Sequence, residues 1–123
     1  MHILGVNHIN LAGSAELIER CRAFYIEVLG LTEGHRPQFM SRGFWLYAED
    51  QPIVHLRIKE EGRDTRGTNA LDHIAFTCDG FDAAMERLRE RGIAFTVDPA
   101  RDTKPAQLFF EDPSGLGLEL QFL

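Results

Sequence analysis

One short pattern occurs twice in this chain. Residues 71–78 read LDHIAFTC, and near the N-terminus the chain reads NHINLAG. Both contain His-Ile-x followed by Leu or Phe, and their histidines, His8 and His73, lie 65 residues apart (73 − 8). Each copy alternates in polarity, so each reads as a strand with one polar and one apolar face. A chain that opens two segments in the same way is constrained to build two copies of one unit.

The segments that follow keep to that plan. Residues 3–11 read as a strand with Leu4, Val6, His8 and Asn10 on one face. Gly13 and Ser14 break it and can start a helix, with Glu16 placed where the helix dipole favours an acid. Leu17, Ile18, Cys21, Phe24, Tyr25 and Val28 recur at helical spacing, and Gly30 ends the helix. Residues 31–35, 43–48 (GFWLYA) and 53–59 (IVHLRIK) read as three strands. The polar run 59–70 reads as a linker between a first module, about 1–60, and a second, 71–123. The second module repeats the order. A strand over 71–78 precedes a helix capped by Asp79 or Asp82, with Phe81, Ala84, Met85 and Leu88 as its stripe and Gly92 as its end. Strands follow over 93–97, 106–110 and 117–122, the last entered through the turn Asp112-Pro113-Ser114-Gly115. The fold expected is α+β: two βαβββ modules in a single 123-residue domain, with mixed sheet curving around a site.

Composition excludes some functions. A net charge of −6, with the second helix's arginines interspersed among Glu86 and Glu90, gives no basic face for a nucleic acid. No apolar run approaches the ~18 residues of a membrane span, and no leader pattern is visible, so a cytoplasmic protein is expected. Cys21 and Cys78 read as reduced residues of a helix and a strand.

The repeat also aligns the final strands. The first module ends in IVHL, with His55, and the second in GLEL, with Glu119, an offset of 64 (119 − 55). His8, His55, His73 and Glu119 therefore fall in register, all on the polar faces of their strands. Ile9, Leu11, Val54, Leu56, Ile74, Phe76, Leu118 and Leu120 take the opposite faces. A lone strand histidine is usually a hydrogen-bonded core or surface residue. Four ligand types in register on faces that would be costly to bury dry point instead to a divalent metal, with zinc, nickel, manganese and iron all suited to such N/O donors. Asn10, Arg57, Thr77 and Gln121 share those polar faces and are the candidate substrate-binding residues. His2 and His35 lack repeat partners and read as surface residues. The aromatic run 44–47 reads as core.

On these motifs the chain resembles the vicinal-oxygen-chelate superfamily, which includes glyoxalase I, extradiol dioxygenases, methylmalonyl-CoA epimerase, fosfomycin-resistance enzymes and bleomycin-sequestering proteins. NHINL with His8, FYIEVLGL over 24–31, DHIAF with His73 and FEDPSGLGLEL with Glu119 carry the likeness. It implies His8, His73 and Glu119 as metal ligands. His55 takes the fourth position, as ligand or close neighbour of the ion, where glyoxalase I has Glu and the epimerase Gln. The resemblance also implies a homodimer with sites at the interface, each joining the first module of one chain to the second of its partner. The expected activity is lyase or isomerase chemistry on a small vicinal-oxygen substrate. Glu119 would serve as the anionic ligand, His55 as the general base, and Arg57 as a clamp for a substrate carboxylate or phosphate. Two alternatives stand beside it: an Fe(II) extradiol dioxygenase, and a non-catalytic protein that sequesters a small molecule.

Overall fold

The computed structural model describes residues 1–60, 71 and 73–123. It divides into two compact units, residues 1–67 and 68–123. Most of the expected linker lies outside the described residues. Each unit is a βαβββ module, as the repeat implied.

In the first unit, β1 (Ile9–Gly13) leads into α1 (Ala15–Glu27), then β2 (Thr32–Gly34), β3 (Gly43–Ala48) and β4 (Gln51–Ile58). The sheet runs β1-β4-β3-β2, with β1 parallel to β4 and the other pairs antiparallel. The second unit has β5 (His73–Cys78), α2 (Phe81–Glu90), β6 (Thr96–Asp98), β7 (Gln107–Glu111) and β8 (Gly117–Phe122). Its sheet runs β5-β8-β7-β6, again with the first and last strands parallel. Residues far apart in sequence are thus set side by side, Asn10 against His55 and Ala75 against Glu119.

Local chemistry accounts for most boundaries. The Ser14 hydroxyl accepts a hydrogen bond from the Leu17 N–H at 3.2 Å and caps α1. Of the expected stripe, Ile18, Cys21, Tyr25 and Val28 are buried and Leu17 and Phe24 are half-buried. At the other end of the chain Asp112 organises the turn into β8. Its Oδ1 accepts from the Ser114 N–H (2.7 Å), the Ser114 hydroxyl (2.6 Å) and the Leu116 N–H (3.0 Å), while Gly115 takes a left-handed φ of 85°. Val54 and Leu56 on β4, and Leu118 and Leu120 on β8, are buried as the apolar faces required.

Three expectations need correction. The first strand spans Ile9–Gly13, not 3–11, and Ile3, Leu4 and Val6 are exposed. Extending the β1–β4 ladder two residues backwards would set Asn7 beside Pro52, which has no N–H to give. His8 therefore lies just ahead of β1. Neither Asp79 nor Asp82 caps α2. Gly80, at φ 77°, is the N-cap residue and makes no side-chain bond, and Asp82 sits in the first turn. The aromatic run is not all core. Leu46 is fully buried, whereas Trp45 lies on the opposite face of β3, the face that carries His55. Among the described residues no helix is long and apolar enough to cross a membrane.

Candidate functional site

Each unit brings one pair of the expected ligands together. In the first, the rings of His8 and His55 stack with centroids 3.8 Å apart and planes within 14°. Trp45, directly across from His55 on β3, covers the other face of that ring at 4.0 Å and 10°. His55 is therefore clamped between two rings. Its Nε2 is buried and has no hydrogen-bond partner among the described residues. Burial pushes the His55 pKa below the ordinary value, and the neighbouring His8 and Arg36 push the same way; a hydrogen bond to the Pro52 backbone opposes them. His55 is thus neutral near pH 7, the form that can donate a lone pair. The His8 Nδ1 lies 2.8 Å from Asn7 Oδ1. With that nitrogen donating to the amide oxygen, Nε2 keeps its lone pair.

In the second unit Glu119 is buried at 6% exposure, and both of its oxygens are engaged. Oε2 lies 3.1 Å from His73 Nε2, and the Gln107 amide N–H donates to Oε1 at 2.5 Å. Phe109, across from Glu119 on β7, meets the His73 ring edge-on at 6.5 Å. Within a unit the ligands come in pairs: among the described residues no three His, Cys, Asp or Glu side chains gather in one cluster.

The donor set fits a divalent ion. An unpartnered buried ring nitrogen costs about 1–3 kcal/mol, so the His55 Nε2 is an expense that a metal bond would offset. Imidazole nitrogens and a carboxylate oxygen are donors that such an ion accepts.

The expected substrate-binding residues separate into two groups. Asn10 and Arg57 line a pocket of about 350 Å³ beside His55 and Trp45 in the first unit. Thr77 and Gln121 are exposed neighbours in register on β5 and β8, and Gln107 stands across from Gln121 on β7. Sequence reasoning missed Trp45, Gln107 and Arg36, which also lines the pocket. The offset of 64 already set Trp45 over Phe109, and it sets Gly43 over Gln107. Extended to the pairing partner of His55 it would have found Trp45; Gln107 pairs with Gln121 and reaches Glu119 diagonally, two residues along β8. Arg36 sits in the β2–β3 connection, where strand alternation gives no signal.

Known proteins agree with this architecture. Residues 5–120 match the model of the Glyoxalase/Bleomycin resistance protein/Dioxygenase superfamily. The YwkD protein of Bacillus subtilis is 32% identical over 98% of both chains. Glyoxylase I 4 of Arabidopsis thaliana is 27% identical over 98% of this chain and 71% of its own length. Among solved structures, a glyoxylase/bleomycin resistance protein/dioxygenase domain from Frankia sp. superposes with a TM-score of 0.77 at 22% identity, covering 98% of both chains. Two further structures share the fold. TnmS3, an antibiotic binding protein from Streptomyces, has a TM-score of 0.70 at 24% identity and covers 99% and 98%. A point mutant of the fosfomycin resistance protein FosX from Listeria monocytogenes, complexed with Mn(II) and a dihydroxypropylphosphonic acid, has 0.66 at 20% and covers 98% and 93%.

Proposed function

Because the chain belongs to the Glyoxalase/Bleomycin resistance protein/Dioxygenase superfamily, we propose that it is a divalent-metal-dependent enzyme performing lyase or isomerase chemistry on a small vicinal-oxygen substrate. The observation that carries this reading is the paired convergence of all four ligand candidates, with the His55 Nε2 buried and unpartnered. His8, His73 and Glu119 hold the ion, and His55 is the fourth ligand or the proton acceptor beside it. When bound, the ion acts as a Lewis acid toward charge developing on neighbouring substrate oxygens. Glu119 supplies the anionic donor and is oriented by Gln107. His55 is kept neutral by burial, so it can take a proton from a carbon acid without first losing one. Asn10 and Arg57 orient the substrate from the first unit, and Thr77 and Gln121 from the second. Cys21 and Cys78, read as reduced thiols, suit the reducing cytoplasm.

Assembly belongs to the same reading. β1 is an edge strand preceded by exposed Ile3, Leu4 and Val6, an apolar segment that a second copy would cover. The proposal is a two-fold homodimer in which His8 and His55 of one chain meet His73 and Glu119 of the other.

A second reading is a binding protein that sequesters a small molecule without metal. The aromatic pocket beside His55 favours it, as does the antibiotic-binding character of TnmS3.

Elemental analysis of the purified protein separates them. Wild type should carry one divalent ion per chain and Glu119→Ala close to none. A mixture of His8→Ala and His73→Ala protomers should regain one ion per heterodimer, and no recovery would mean that each site is built within a single chain. Equal metal content in wild type and Glu119→Ala would overturn the ligand assignment, and a wild type without metal would favour the sequestering reading. Oxygen uptake by the Fe(II) form with an aromatic diol would replace lyase or isomerase chemistry with ring cleavage.

A further inference from the structure

The pocket beside His55 has a cationic polar lining. Arg36, Arg57, Asn10 and Ser41 contribute polar groups, and Phe39 and Trp45 contribute ring walls. Among the described residues no Asp or Glu lines it. Arg36 is fixed in place: its two terminal nitrogens donate to the Ser41 carbonyl at 2.9 Å and the Ser41 hydroxyl at 3.3 Å. Its guanidinium carbon sits 4.8 Å from the Phe39 ring centroid. Its Nε is buried with no partner among the described residues. Arg22 shows the ordinary alternative, with its guanidinium neutralised by Glu33 at 2.6 Å and Glu19 at 3.2 Å. Neither Arg36 nor Arg57 has such a carboxylate partner among the described residues.

Two guanidinium groups without an acidic partner among the described residues, one of them immobilised against a ring, form a receptor for an oxyanion. The fold does not provide this automatically. At the repeat offset of 64, Arg36 corresponds to Ala100, Arg57 to Gln121 and Gly43 to Gln107. Gly43 makes the room in the first unit, since a Cβ there would lie 3.2 Å from an Arg36 terminal nitrogen and 2.0 Å from the Leu56 carbonyl oxygen.

We propose that this pocket binds the oxyanion of a flat organic acid, its planar body against Phe39 and Trp45, with Arg36 selecting for the negative charge. The proposal rests on the preceding reading in taking the pocket as part of the substrate site.

Trp45 is the chain's single tryptophan, so its fluorescence reports occupancy of this pocket directly. The test is titration of the full-length protein with benzoate and phenylphosphonate, against neutral benzamide. The acids should give saturable changes, with benzamide at least about tenfold weaker. Arg36→Gln should weaken the acids by at least about tenfold and leave benzamide unchanged, and Arg36→Lys should fall between, keeping the charge but losing the fork. Arg57→Gln, on an exposed strand position, is a second variant and should weaken the acids severalfold. No saturable response, equal binding of acid and amide, or wild-type affinity in Arg36→Gln would each overturn the proposal. The same titration in Glu119→Ala separates it from the metal assignment. Preserved discrimination is expected there even if metal content proves independent of Glu119, whereas its loss would place recognition on the ion and overturn the role of Arg36.

Discussion

In the first unit Trp45 lies across from His55 and stacks on it at 4.0 Å, with His8 closing the other face at 3.8 Å. In the second, Phe109 lies across from Glu119 and meets His73 edge-on at 6.5 Å, while polar contacts hold His73 and Glu119 together. The scaffold positions are equivalent, yet the means of holding a side chain differ. Ring stacking and burial keep the His55 imidazole neutral; in the second unit an amide donor and an imidazole orient a carboxylate. A repeat with the same strand order can diverge this far because strand order fixes backbone positions but not the side chains on them.

The sharpest difference is at one register position, Gly43 in the first unit and Gln107 in the second. A Cβ at residue 43 would fall 2.0 Å from the Leu56 carbonyl oxygen, a backbone atom with no rotamer to yield. Gly43→Ala should therefore destabilise by at least ~3 kcal/mol, lowering the melting temperature by roughly 10 °C. Gln107→Ala should cost about 1–2 kcal/mol, through the lost bond to Glu119. Calorimetry of the two variants decides the matter: if Gly43→Ala melts like wild type, β3 and β4 do not approach as closely as described.

A smaller effect is expected where the rings differ. Trp45→Leu removes a stacked partner and should cost about 1.5 kcal/mol, whereas Phe109→Leu should cost about 0.5 kcal/mol, its ring being edge-on and distant. Chemical denaturation of both, with unchanged m-values, would measure this. Equal losses would show that the stack adds nothing beyond buried area.

How much of this was legible in the sequence depends on what carried each feature. The βαβββ order, the stripe of α1 and β3 at Gly43–Ala48 follow from periodicity and punctuation, which are local. The register of His8, His55, His73 and Glu119 was legible because the repeat supplies a second copy against which to align the first. The Gln107–Glu119 and Trp45–His55 contacts are cross-strand and needed the antiparallel pairing. Arg36 was hidden because a connection has no period, and its neighbours are decided by where the chain returns. The start of β1 failed for a related reason: the apolar residues before Ile9 look like strand, but the ladder depends on the partner, and the partner presents Pro52.

The smallest expected effect concerns the outer strands. In the first unit β2 is tied to α1 by Arg22 and Glu33; in the second β6 is tied to its own following loop by Asp98, with Lys104 at 2.6 Å and Arg101 at 3.1 Å. The Lys104 hydrogen bond, with the charges of Arg101 and Lys104, holds the Asp98 carboxyl below its ordinary value of 3.8. A carboxylate with a folded pKa below its unfolded one stabilises the fold above the unfolded value, and loses that contribution as the pH falls through the folded value. Asp98→Asn should therefore lower the melting temperature slightly at pH 7, and the gap from wild type should close as the pH drops below 3.8. Exposed ion pairs are strongly screened, so high salt should narrow the same gap at pH 7. A gap that persists at low pH would assign the role of Asp98 to hydrogen bonding or packing, and would leave β6 without the ionic contribution that its pairs with Lys104 and Arg101 imply.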